Sequence, residues 1–274
     1  MQYYRLLARK AIPRERFRDS MSYDLQKASV LKRMSAYILD AILLLVLITG
    51  IAFVLSAALN YTDWNDRVND SYAKYEAQFG VSLEITEADY QALPEDQRAV
   101  YDAAFAALNA DQEAVKAYNM LVNLTLIIVS FSVLLAYLGL EFAVPLLFGN
   151  GQTVGKKVFG IGLMKTNGVK VNAVALFVRT VLGKFAIETM IPVLMIMMML
   201  LGTIGLLGPV IVIGIWLVQL VMLIASPTNS LIHDALSHTV AVDMASQLVF
   251  ASEAELMADK QRRHEEMVSK KPYP

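Results

Sequence analysis

Three long apolar tracts, one of them long enough to supply two membrane spans, set every other boundary in this chain. The first runs from about Met34 to Leu59 and is uncharged apart from Asp40. The second, Met120 to Phe148, is interrupted only by Glu141 and Pro145. The third, Ile187 to Ala225, carries a single charge, Glu188. As one helix it would measure about 58 Å, nearly twice a hydrocarbon core of about 30 Å. In its middle lies Gly202-Thr203-Ile204-Gly205-Leu206-Leu207-Gly208-Pro209, whose glycines and proline favour a tight turn. The tract therefore reads as a hairpin of two short spans, about 187–202 and 208–225, with one long kinked helix as the alternative. Composition agrees, because only 18% of the residues are charged against about a quarter in soluble domains, and the mean hydropathy is +0.48. The absence of cysteine excludes a disulfide framework, a thiolate nucleophile and a cysteine metal site.

The basic residues orient the spans. Lys and Arg concentrate in segment 1–33, in 149–186 and after Ala225, whereas 60–118 is strongly acidic with a net charge of −8. Four spans place the three basic segments on one side, which the positive-inside rule makes cytoplasmic. Three spans would put the C-terminal basic residues outside. The first run begins after 33 residues and lacks a small-residue cleavage site, so it is not read as a signal peptide. The expected fold is mainly α: a polytopic helical membrane protein with about four transmembrane helices, a small cytoplasmic β-hairpin and an extracytoplasmic helical insert. Its parts are a basic tail (1–33), helix 1 (34–59), the acidic insert (60–118), helix 2 (119–148), a loop with hairpin and interfacial helix (149–186), helices 3 and 4 (187–225) and a final motif with a charged tail (226–274). Both termini would face the cytoplasm of a cell membrane.

Local signals fill in the connecting segments. Thr86-Glu87-Ala88-Asp89 resembles a capping box, Pro94 suits a first helical position, and from Pro94 an acidic helix is expected to run continuously into the second span. Gly151-Gln152-Thr153-Val154-Gly155-Lys156-Lys157 has the wrong glycine spacing for a phosphate loop, and a second lysine stands where Ser or Thr is required. Val158–Lys165 and Val169–Val171 flank Asn167-Gly168, a two-residue hairpin signal. Asn172 can cap the next helix, which carries Arg179 and Lys184 and would lie in the membrane interface. The segment Ser252–Lys271 is helical in composition and solvated, and its mixed charge gives no nucleic-acid signal.

The informative residues are the ionisable ones at or within the membrane boundary. Arg33 and Asp40 share one helix face at a spacing of i, i+7. Glu141, Glu188 and the pair His233-Asp234 fall in the same half of the bilayer. A lone carboxylate in a span costs several kcal/mol, so these groups must pair, bind a cation or stay protonated. In a purely structural reading Arg33, Arg179 and Lys184 neutralise Asp40, Glu141, Glu188 and Asp234. In a functional reading Asp40 and Glu141 bind and release a cation or proton. No nucleophile elbow, metal-ligand cluster or cofactor loop is present, so no metal, cofactor or enzymatic activity is expected.

These residues also carry a resemblance. Arg33-Met34-Ser35-Ala36-Tyr37-Ile38-Leu39-Asp40 resembles the R-x-x-A-x-x-x-D opening of the RDD family of bacterial membrane proteins. Gly151, Gln152, Thr153, Gly155 and Lys156 match that family's G-Q-T-x-G-K loop, and Arg179 stands where it has an arginine. Leu231 to Val242 resembles its closing L-H-D-K-L-A-G-T-x-V motif, with Ala235 in place of lysine and Ser237-His238 in place of Ala-Gly. The resemblance covers about 30–59 and 120–243. It implies that Arg33, Asp40 and Asp234 are the arginine and aspartates of the family's name, and that transport such as sodium/proton antiport is the expected activity. The expected partners are the lipid bilayer, Na+ or H+ and a second copy in a homo-oligomer, with no nucleic acid. The competing expectation is a non-catalytic membrane scaffold whose buried charges are structural.

Overall fold

A computed structural model describes residues 25–269; the first part of the basic tail, 1–24, and residues 270–274 lie outside the described residues. Among the described residues, four helices are long and apolar enough to cross a membrane. They are α1 (Val30–Ala58), α5 (Gln112–Phe148), α7 (Ala173–Leu200) and α8 (Leu207–Ala225). Between α1 and α5 lie α2 (Tyr61–Phe79), α3 (Glu87–Ala92) and α4 (Glu95–Ala110). A short α6 (Val154–Val158) precedes strand β1 (Ile161–Lys165), and α9 (Ile232–Leu236) precedes β2 (Thr239–Asp243) and α10 (Glu253–Ser269). The helices form two compact units, Leu45–Ala136 and the remainder, with the division falling inside α1 and α5.

The unit Leu45–Ala136 has its own small core of Tyr75, Leu83, Ala104, Leu108 and Ala114, drawn from α2, the loop after it, α4 and the start of α5. Thr86 caps α3 in a reciprocal box with Asp89, as the sequence motif implied. The expected continuous helix from Pro94 is interrupted: α4 ends at Ala110, and Asp111 opens α5 by accepting the backbone N–H groups of Glu113 and Ala114. Asp111 also accepts from Lys74 at 2.9 Å and from the Tyr75 hydroxyl at 3.0 Å. The Lys74 ammonium, then Tyr75, hold its carboxyl down to about 2. A single acid thus caps one helix and ties it to another, where composition suggested only a solubilising surface.

The second unit is organised by a two-stranded antiparallel sheet, β1 against β2, with Ile161 opposite Asp243 and Lys165 opposite Thr239. The Asn167-Gly168 turn does fold the chain back, but it yields only a single bridge, Met164 to Lys170. The full ladder goes instead to 239–243, a strand that the sequence reading treated only as the tail of a motif. Lys27 bridges the other edge of β2 through Val242, so β2 is covered on both sides. Side chains alternate across the pleat. Ile161, Leu163 and Ala241 pack with Ala36 and Leu176, while Met164, Val240 and Val242 face the other way. The helix expected to lie in the interface after Asn172 is instead the first part of α7, continuous through Leu200. The chain turns at 201–206 and α8 packs back along the end of α7. Few apolar side chains of α8 are buried; Leu207, Val210, Ile213, Val221 and Ile224 are all exposed, as lipid-facing positions must be. In α10, Leu256 packs with Val169 and Phe250, and most of the remainder is exposed.

Candidate functional site

The motifs separated along the chain meet around one cavity of about 410 Å³ within the second unit. Two helical irregularities help to build it. Residues Tyr137–Ala143 of α5 and Val178–Met190 of α7 are wound as π-helix, a geometry common at functional sites because it widens the helix and displaces backbone carbonyls from their usual partners. The Glu141 carbonyl accepts a hydrogen bond from the buried Thr180 hydroxyl at 2.9 Å. The Glu141 carboxylate meets Lys184 at 2.5 Å.

Asp40 does not pair with Arg33. Its Oδ2 accepts the Thr153 hydroxyl and its Oδ1 accepts the Gly155 N–H at 2.7 Å. Gly155 permits this approach: a Cβ there would lie 2.9 Å from the Asp40 carboxylate and would collide with the Ala36 carbonyl. The rest of the loop supports the contact. Gly151 turns the chain in the left-handed region, with φ of 62°. The Gln152 amide donates to the Ile161 carbonyl at 2.8 Å and fastens the loop to β1. Thr153 caps α6, its Oγ1 accepting the Lys156 backbone N–H at 3.3 Å and the Lys156 Nζ at 3.2 Å. Thr153 is therefore a bridge between the ammonium and the Asp40 carboxylate. Lys156 lines the cavity and no carboxylate lies within 4.0 Å of it among the described residues. Burial, then the nearby Lys184 and Arg179, push its amine down to about 7 against the opposing pull of Glu141 and Asp40.

Asp234 holds the second cluster together. Its Oδ1 accepts from Arg179 Nη2 at 2.7 Å and Nε at 3.1 Å, and from the Thr239 hydroxyl at 3.3 Å. Its Oδ2 makes no hydrogen bond and faces Arg33 at 3.5 Å and His233 Nε2 at 3.6 Å. Burial alone would raise the Asp234 carboxyl, but the Arg179 and Arg33 charges hold it below the usual carboxylate range. Arg33 also donates to the Asn229 carbonyl at 2.7 Å. His233 donates its backbone N–H to Glu188 at 2.9 Å, and its Nδ1 lies 2.7 Å from the same carboxylate. Burial, followed by the Arg179 charge, lowers the His233 pKa, so the ring is neutral at pH 7 and donates from Nδ1.

The structure thus brings together the charged residues singled out from sequence, Arg33, Asp40, Glu141, Arg179, Glu188, His233 and Asp234. It also joins the glycine-rich loop to them, which spacing alone did not suggest. Sequence reasoning missed Thr153 and Gly155 as the partners of Asp40, and Lys156 as a cation facing the cavity. Ala235, where the motif resembled has lysine, is exposed and takes no part in these bonds, so its departure leaves the cluster intact. His238, at the motif's glycine position, keeps a left-handed φ of 50°. No curated protein and no solved structure matches the chain. A model of the RDD family matches residues 27–238, a range that also takes in the acidic insert, and the chain belongs to that family.

Proposed function

We propose that this membrane protein is a small secondary transporter that exchanges a cation for a proton, with no enzymatic activity. One observation carries the reading: the balance of charge around the cavity closes only through Lys156. Glu141 is paired with Lys184, while Arg179 and Arg33 together offset Asp234 and the nearby Glu188. Asp40 is joined to Lys156 through the Thr153 hydroxyl, without direct ion pairing. Loss of one proton from Lys156 leaves one uncompensated negative charge beside Asp40, and entry of one monovalent cation restores the balance. Exchange of one proton for one charge follows from that electrostatic requirement. The segregation of basic segments supports a cell-membrane orientation with both termini cytoplasmic. Four helices enclose little volume, so the working form is proposed to be a homo-oligomer.

The test is cation-driven proton flux in proteoliposomes. Wild-type protein acidifies or alkalinises the lumen when a cation gradient is imposed, and Asp40→Asn abolishes the flux at unchanged yield and monodispersity. An absence of flux under every imposed sodium, potassium, organic-cation and proton gradient would refute the proposal. A scaffold role is the second reading, favoured by the tight pairing of Glu141, Glu188 and Asp234 with protein groups. It requires Asp40→Asn to lower thermal stability with no transport to lose.

A further inference from the structure

The lining of the cavity is divided. Its charged wall consists of Arg33, Asp40, Glu141, Lys156, Lys184 and Glu188, whereas the flanks supplied by α1 and α8 are apolar and aromatic. Two aromatic rings on these flanks, Tyr37 and Trp216, are 69% and 70% exposed. On α1 the cavity-lining Val30 and Met34 are exposed beside Tyr37, so among the described residues no helix covers that side. In a membrane span such a side faces lipid, and the cavity therefore communicates with the hydrocarbon between α1 and α8.

We infer that the cation taken by this cleft is a lipophilic organic cation, such as a quaternary ammonium or phosphonium with an apolar body, and that it enters sideways past Tyr37 and Trp216. This rests on the exchange reading above and names its substrate class. Two observations favour it over a bare alkali ion. A volume of about 410 Å³ lies within the range of organic-ligand pockets, roughly 300–1,000 Å³. Tyr37, Tyr137 and Trp216 line the same cavity and offer π-faces to a weakly hydrated cation. Charge complementarity comes from the groups that face Lys156: Asp40 and Glu141 on one side of the balance, Lys184 and Arg179 on the other. With Lys156 neutral, the wall together with Arg179 and Asp234 carries one excess negative charge. The exchange balances: the ammonium gives one proton to solution and the bound cation replaces its charge.

Tetraphenylphosphonium is a suitable probe, with the full-length protein in lipid nanodiscs. Binding is expected to be about tenfold weaker at pH 6 than at pH 8, because about one-tenth of Lys156 is then neutral. At pH 7 in weak buffer about half a proton should be released per cation bound. Lys156→Met should bind independently of pH. Trp216→Ala and Tyr37→Ala should each weaken binding by about fivefold to thirtyfold at all pH values, and both rings are exposed, so neither change removes core packing. Sodium and potassium at equal ionic strength should not compete. If a sodium gradient drives proton flux while tetraphenylphosphonium does not bind, the substrate class is overturned and the exchange reading stands. If no cation binds or moves, both fall. Unchanged binding in the two aromatic variants would place the probe elsewhere and overturn the inference.

Discussion

The two units of the molecule use acidic residues in opposite ways. In the unit Leu45–Ala136 the acids are numerous and largely exposed, and the unit is held by the apolar cluster around Leu108 and Ala104. In the other unit the acids at the spans and the closing motif, Asp40, Glu141, Glu188 and Asp234, are buried or half-buried, and each is tied to groups from elsewhere in the chain. Solvent explains the difference. A carboxylate in water is stable by itself and contributes little through surface pairing, whereas one buried among apolar helices must be compensated or it costs several kcal/mol. Charge therefore decorates one unit and determines which segments assemble in the other.

The comparison makes graded predictions. Asp234→Asn should be the most damaging, because it leaves Arg179 and Arg33 beside a neutral amide; a loss of about 3–5 kcal/mol is expected, read as a collapse of thermal stability in detergent. Leu108→Ala should cost about 2–4 kcal/mol through cavity formation. Its damage should be confined to the Leu45–Ala136 unit, as hydrogen exchange can show; equal loss of protection in both units would contradict that independence. Gly155→Ala should cost about 1–3 kcal/mol through overpacking against α1 and should also disturb Asp40, so Gly155→Ser should be no better tolerated. At the small end, Asp66→Asn with Asp96→Asn, both at exposed positions, should leave the melting temperature where it was. A marked drop would mean that the insert's acids do more than solubilise it.

Much of this fold was legible because apolar runs and capping boxes are local signals. The capping box at Thr86, the glycine-rich break at 202–209 and the long apolar runs needed only neighbouring residues. Pairing was less legible because it is not local. Arg33 and Asp40 share a helix face, yet two turns of rise separate them by about 10 Å. Each is satisfied from far away: Asp40 by a loop 113 residues later and Arg33 by the Asn229 carbonyl. Strand β2 was missed for a similar reason. Thr239-Val240-Ala241-Val242 has strand-like composition, but its partner is not its neighbour, while Asn167-Gly168 offered a nearer one. The residues of the charge cluster could be picked out by their cost in lipid; which partner each would find could not.

The order in which these partners emerge from the ribosome has its own consequence. Arg179 is synthesised 55 residues before Asp234, which at about 5–20 residues per second is a wait of roughly 3–11 s. Through that interval α7 carries a cation whose counter-charge does not yet exist, and β1 has no full-length partner strand. The closing motif is therefore expected to complete assembly only after the last span is made. Because the chain has no native cysteine, a single cysteine at the buried Thr180 position can report this. In a chain ending at Ala225 it should remain open to a water-soluble maleimide, and the full-length chain should protect it. Equal protection in both would show that α7 is seated without the closing motif.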